Sequence, residues 1–461
     1  MMKDIERRDF LQKLGAGAVG LAGLNALADV TTDGDANTSY APHVHRIARF
    51  PTDVPSATLD GRRVVQPARE IPVFHETDVV VVGGGAAGVA AAVSAARNGA
   101  KVALVERSGS LGGLFTNGLV LIFVGNGVRE DGRFRVCTQG FCREFIERLE
   151  AMGPHCITKR PAEGRVWTPT ADPEAAKVLM DRMVQEAGVD VFFHAWGVDV
   201  IQVGSSVKGV VFESKQGRQA ILAKQVVDTT GDGDVYFQAG ADYQQITHSL
   251  GFCFQIGGMD RLDPAKAPGV KEFPTRANQP NPGYFWKNQK SIQGNGLSVR
   301  ELSAAEFHHR KEAWDFVERM RSTPGYEAAY LASTCSQIGV RATRLMKGLA
   351  SVAKEDADVR TGAKRDDAVA VSGSESLSQP EFAIPYGCLI PAGVDNVLAA
   401  GRCISCAPNI IDRIRLFPVC FVTGHAAGIA AALAARQGVT PREVDVAAIR
   451  RRLLAEGAYL G

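Results

Sequence analysis

Residues 76 to 107, ETDVVVVGGGAAGVAAAVSAARNGAKVALVER, constrain this chain more than any other stretch, because they spell one complete strand-turn-helix-strand unit. Val79 to Val82 read as a strand, the alanine-rich segment after them as a helix, and the run to Glu106 as a second strand. Gly83, Gly85 and Gly88 stand at GxGxxG spacing between the first strand and the helix. Gly83 allows a tight turn, Gly85 has no Cβ to obstruct a pyrophosphate, and Gly88 lets helix and strand approach closely. Ala86 and Ala87 then open the helix, whose first N–H groups face the phosphates. Glu106 is placed to accept from a ribose hydroxyl, with Arg107 beside it. An acid there repels a 2′-phosphate, so NADP is disfavoured while NAD and FAD both stay open. The expected fold class is α/β, with a Rossmann-like dinucleotide-binding domain.

Context is what gives that pattern its meaning. Gly15, Gly17 and Gly20 also spell GxGxxG, but no strand precedes them and no acid-terminated strand follows, so they carry no such expectation. Their setting suggests something else. Arg7 and Arg8 precede a weakly hydrophobic, glycine-broken stretch from Leu14 to Ala28 that is shorter than the ~20 residues of a spanning helix. This resembles a twin-arginine export signal over 1–28, with Ala26-Leu27-Ala28 as a cleavage site. The expectation is therefore a periplasmic or secreted protein, a partner of the twin-arginine export machinery, with no integral span in the mature chain. A net charge of +2 over 461 residues argues against nucleic-acid or membrane-surface binding through bulk charge.

The remaining chain divides by rhythm. Residues 29–70 read as an extended arm, and 71–248 with 379–440 as a discontinuous nucleotide-binding domain. Residues 249–378 form an inserted substrate or cap region, and 441–461 a C-terminal helical tail. Helical periodicity marks 141–152, 172–187, 301–322, 327–353 and 420–436; strands are expected at 189–194, 198–203, 207–213 and 219–228, and again within 385–401. Nine cysteines are scattered, with Cys403 and Cys406 in the sole CxxC. No metal site is expected: His308 and His309 are adjacent, so a helix would aim them in different directions.

Several segments together carry a resemblance. DVVVVGGGAAG, the LGG loop, VVDTTGDGD, IGVRATR at 338–344, IPYGCLIP at 384–391, NVLAAGRCIS at 396–405 and IRLFPVCFVTGHAAG at 414–428 are similar to the bacterial FAD-dependent oxidoreductases. That family is distantly similar to fumarate reductase flavoproteins and has a glutathione-reductase-type flavin fold. The resemblance implies noncovalent FAD. It assigns Gly112, Gly113 and Leu114 to a loop along the cofactor, Thr230 and Gly231 to a second turn, and Gly401 and Arg402 to a strand end touching pyrophosphate or flavin. It also implies that Pro418, Val419 and Cys420, after Phe417, lie by the isoalloxazine, and that backbone from Trp196 to Val198 meets the adenine. Cys403 belongs to the same strand-end signature.

The expected function is hydride transfer between flavin N5 and an unidentified small organic substrate. The alternatives are a flavoprotein subunit passing electrons to an acceptor protein, or a flavin binder without enzymatic activity. Arg415-Leu416 resembles the fumarate reductase segment whose arginine grips a substrate carboxylate, and Arg413 lies beside it. Arginine as a general acid at neutral pH works against a pKa above ~12, roughly 7 kcal/mol uphill, so stabilising charge is the better role. Tyr386 and His425 are the expected proton-transfer groups, and Arg341 and Arg344 the next candidates, sharing a helix face at i, i+3.

Overall fold

The computed structural model describes residues 56–162, 165–263, 265–266, 271–275, 278–357, 365–375 and 378–461. The expected export signal at 1–28, the second GxGxxG at Gly15 to Gly20 and most of the expected arm lie outside the described residues. The chain forms two units, Met1–Arg69 and Glu70–Gly461. In the first, Thr58–Asp60 and Arg63–Val65 pair as a short, exposed antiparallel hairpin.

The second unit is built on a seven-stranded sheet. Val73–Val82 sits between Val102–Val105 and Gly217–Asp228, parallel to both, and Asp190–Phe192 extends the parallel side. Val79 to Val82 and Val102 to Val105 are fully or almost fully buried, as an apolar run covered on both faces should be. Gly217–Asp228 has a divided role: its first half pairs antiparallel with Ser206–Ser214, which in turn pairs with Trp196–Val203, while its last residues pair in parallel with Val397–Ala399. Strands about 170 residues apart in sequence, ending at Asp228 and beginning at Val397, thus lie side by side in one sheet.

Two alanine-rich helices cover the sheet. Ala86–Arg97 packs against Phe417–Gln437, which begins with Pro418 in its first turn and ends at Gly438 in the left-handed region. Their backbones approach closely because Gly424 and Gly428, one turn apart, face Ala87 and Ala91; a Cβ on either glycine would stand 2.2 Å from the opposing carbonyl oxygen. Phe417–Gln437 is long and apolar enough to cross a membrane by composition, but 94% of its most apolar window is buried inside the protein.

The 249–378 region departs from expectation in one respect. Val299–Arg321 is the expected helix, capped by Ser298, and it packs on a sheet of His248–Gly257, Tyr284–Gly294, Tyr330–Thr334 and Gly339–Val340. Residues 327–353, expected to be helical, are instead strands at Tyr330–Thr334, Gly339–Val340 and Arg344–Met346. Cross-strand pairing to His248–Gly257 outweighs the local periodicity. Arg341 and Arg344 therefore share no helix face. Tyr386–Leu389, expected as strand, is a turn of 3₁₀ helix. The boundary expected at 378/379 falls inside a hairpin, since Ala368–Ser374 pairs with Gln379–Pro385 and also with Asn126–Glu130.

Candidate functional site

Four turns converge at the carboxyl ends of the parallel strands, where open α/β sheets bind their ligands. They surround a cleft lined by Gly83, Gly85, Ala86, Ala87, Glu106, Arg107, Gly112, Gly113, Leu114, Thr230, Gly231, Gly401, Arg402, Arg415 and Cys420. The glycine loop owes its shape to Gly88, where a Cβ would sit 1.8 Å from the Gly83 carbonyl oxygen. At Gly85 the same test finds open space, so the backbone there is bare toward the cleft. Gly112 N–H donates to the Gly84 carbonyl at 2.7 Å, tying the second glycine turn to the first.

Glu106 is buried and splits its carboxylate between two backbone donors, Gly84 N–H at 2.6 Å and Ser108 N–H at 2.7 Å. Each oxygen retains a second lone pair, which suits the hydroxyls of a ribose. Arg107 stacks over Trp196 at 5.3 Å, and Trp196 and Gly197 border the cleft where Val198 was expected. Phe417–Gln437 also brings its N-terminus to the cleft, with Phe417 stacked on Phe115 at 4.5 Å. Phe417 and Cys420 line the wall, whereas Pro418 and Val419 are buried behind it.

The electrostatics centre on the VVDTTGDGD turn. Asp228 is fully buried and accepts from Thr230 N–H and Oγ1, Val235 N–H and Tyr236 N–H; burial pushes its carboxyl up to about 6. Burial would raise Asp232 as well, but the Arg402 guanidinium at 2.8 Å outweighs it and holds the group below the usual carboxylate range. Arg344, expected at the active site, is instead structural: it pairs with Asp234 at 2.8 Å, donates to the Asp232 carbonyl at 2.9 Å and covers Phe237. Arg402 Nη1 has the Asp232 ion contact but no hydrogen bond among the described residues. An oxyanion in the cleft would supply that bond, so the donors present fit a dinucleotide pyrophosphate.

Two expected proton-transfer groups lie elsewhere. Tyr386 donates its hydroxyl to the Pro441 carbonyl at 2.8 Å, and burial raises its phenol further above the ordinary value. His425 stands eight residues into its helix, about 12 Å from the end at the cleft, and its Nε2 meets Glu456 at 2.7 Å. Neither lines the cleft. Arg413 does not line it either, whereas Arg415 does. Cys403 and Cys406 are both free and buried, with thiols that burial raises, Cys406 to about 12. Tyr386→Phe should lower stability by about 1 kcal/mol, read in urea unfolding, and leave turnover unchanged. A hundredfold fall in kcat would return Tyr386 to the chemistry.

Three features were missed in the sequence. Asp234 and Gln337 line the cleft, and His248 stands next to the arginines. His248 accepts from Ser249 N–H at Nδ1, leaving Nε2–H directed at Asp412 at 3.5 Å; burial lowers its pKa. The GDGD repeat was the available signal for Asp234. Nothing local marked His248 or Gln337.

The chain belongs to the FAD dependent oxidoreductase family, whose description matches residues 78–453. It is 28% identical over 242 residues to a digeranylgeranylglycerophospholipid reductase 2 of Methanothermobacter thermautotrophicus, covering 50% of this chain and 58% of that protein. It is 53% identical over 49 residues to the dihydrolipoyl dehydrogenase of Trypanosoma brucei brucei, 11% of this chain and 10% of the other. The chain thus spans less than two thirds of the length of these curated relatives. Among solved structures, p-nitrophenol 4-monooxygenase from Pseudomonas putida is 13% identical, with a TM-score of 0.43 over 84% of this chain and 87% of that one. This chain's cofactor is FAD.

Proposed function

We propose that this protein is an FAD-dependent oxidoreductase acting on a small organic anion held by Arg341 and Arg415. One observation carries the reading. Arg341 is half-buried beside Arg415, and no described residue gives it a hydrogen bond or an ion pair. Burial and the neighbouring Arg415 both lower its pKa, so its environment disfavours the charge it carries. A guanidinium keeps that charge regardless, and leaving it unpaired is costly. A ligand carboxylate removes the cost.

The surrounding groups support this. Gly339–Val340 pairs with Leu250 and Gly251, which sets Arg341 next to His248. Arg415 donates from Nε and Nη2 to Asp412 Oδ1 at 2.8 and 2.6 Å. Among the described residues, Asp412 is thus the single carboxylate serving both arginines, and Arg415, His248 and Arg341 hold it below the ordinary carboxylate range against the effect of its burial. One positive charge is left over before His248 is counted. Arg415 also borders the cofactor cleft, so an anion bridging the two arginines would lie at the edge of that cleft.

When bound, FAD supplies two-electron exchange with the organic substrate. The chain's own contribution is to orient the anion by two charge-assisted donors and to fix Arg415 through Asp412. The parallel strands joined to an antiparallel meander support a glutathione-reductase-type arrangement of the flavin domain. Arg7, Arg8 and the segment to Ala28 support export to the periplasm.

The test is an anaerobic screen in which the yellow protein is mixed with matched substrate pairs, each a carboxylate and its methyl ester. Bleaching of the flavin band by acids alone is the expected result. Esters that bleach it equally fast would remove the anion requirement.

A further inference from the structure

The geometry points to a transition-metal site, best suited to zinc, on the outer helix of the 249–378 region, formed by His308 Nε2, His309 Nδ1 and the Glu312 carboxylate. The three residues lie on Val299–Arg321, away from the residues lining the FAD cleft. Adjacent histidines on a helix are expected to diverge, but here Glu312 is one turn on from both. His308 Nε2 lies 3.2 Å from Glu312 Oε1, and His309 Nδ1 lies 3.1 Å from Glu312 Oε2. All the donor atoms lie within 4.8 Å of one another, a spacing that a modest turn of the half-exposed His308 closes to that of a zinc coordination shell.

The second observation comes from His309. It has no exposed surface, and its Nε2 lies 2.9 Å from the Leu250 carbonyl oxygen. A carbonyl only accepts, so Nε2 carries a proton and Nδ1 is the ring nitrogen left to a ligand. Nδ1 points at Glu312 Oε2 at 3.1 Å, so a metal ion can take both atoms as ligands in place of a shared proton. The Nε2–H to backbone carbonyl bond is also the outer contact that metal-bound histidines use to fix tautomer and ring orientation. The ring is further held by stacking on Phe252, with centroids 5.8 Å apart.

Two imidazole nitrogens and one carboxylate match zinc and its neighbours in the first transition row, rather than magnesium or calcium, which prefer oxygen alone. Three protein ligands leave the fourth position to water. Since His309 bonds to the strand that begins at His248, metal binding would lock the helix onto that strand.

The experiment uses FAD-loaded, untagged, full-length protein stripped with a chelator, titrated with zinc chloride by calorimetry, with magnesium chloride as control. The expected result is saturable uptake of one zinc per chain, a raised thermal midpoint, and no response to magnesium. His308→Ala and Glu312→Gln should each weaken zinc binding by about tenfold or more, with unchanged flavin content and an unchanged midpoint in the absence of zinc. His309 is left intact because it is buried. The proposal is overturned if no saturable site appears, or if both variants take up zinc as the parent does, which would assign the metal to the cysteines or to other histidines. Cobalt substitution gives a second reading: intense visible bands in the parent, absent from both variants, mark a four-coordinate nitrogen-bearing site.

Discussion

Gly88→Ala should give a protein that cannot hold FAD through gel filtration. The added methyl would lie 1.8 Å from the Gly83 carbonyl oxygen and 2.8 Å from Thr229 Oγ1, which itself bonds the Gly83 and Val82 carbonyls. Backbone cannot rotate away as a side chain can, so the helix must withdraw from the loop. Its first-turn N–H groups then leave the position from which they face the phosphates. Overpacking of this kind costs about 3 kcal/mol or more, equivalent to at least ~100-fold in affinity if borne by the cofactor site. Gly85→Ala separates cofactor loss from misfolding. Its Cβ meets no protein atom within 4 Å, so the apoprotein should unfold at the parent's urea midpoint while FAD affinity still falls. The check is the ratio of flavin to protein absorbance together with circular dichroism. Stoichiometric flavin in Gly88→Ala would mean that the loop tolerates a change the structure gives it no room for.

That glycine was legible because everything it requires is local: the strand before it, the helix after it and the turn between them fall within thirty-two residues, 76–107. The same holds for Asp172 as the cap of Pro173–Glu186, where an Asp-Pro pair announces the helix and the side chain accepts from Glu174 and Ala175. Legibility fails where a partner strand decides. Residues 330–334 have a helix-like apolar spacing, but Thr334 finds Phe254 and Ser333 finds Gln255 across the sheet, and a ladder eighty residues away in sequence overrides it.

The chemistry shows the same division. Arg415 was marked by its neighbours in sequence, Leu416 and Phe417, and it does border the cleft. Tyr386 and His425 were drawn in by proximity to motifs, yet their hydroxyl and ring serve the C-terminal tail, at Pro441 and Glu456. No pattern placed Arg341, His248 and Asp412 together, since they approach only when Gly339–Val340 adds to the edge of His248–Gly257. Arg344 was paired with Arg341 by spacing alone, and the absence of a helix sends it to Asp234 instead.

Arg341→Gln should cut kcat/KM for a carboxylate substrate by about 100-fold, mostly through KM, while leaving the flavin spectrum and content intact. The magnitude follows from losing one charge-assisted contact, worth about 1.5–3 kcal/mol. The substitution should not harm the free protein. Arg341 has no hydrogen bond or ion pair among the described residues to abandon, and its burial and the charge of Arg415 outweigh the attraction of Asp412, so Arg341→Gln is expected to be as stable as the parent or more so. Arg415→Gln differs in that respect, because it strips Asp412 of two hydrogen bonds and unfastens the wall of the cleft. Its kcat should fall and its KM rise, with some loss of stability. The contrast separates a binding group from a positioned one: a gain or no change in urea midpoint with a large rise in KM identifies Arg341 as a substrate contact. A fall in midpoint with unchanged KM would make it a structural residue, and the anion reading of the site would go with it.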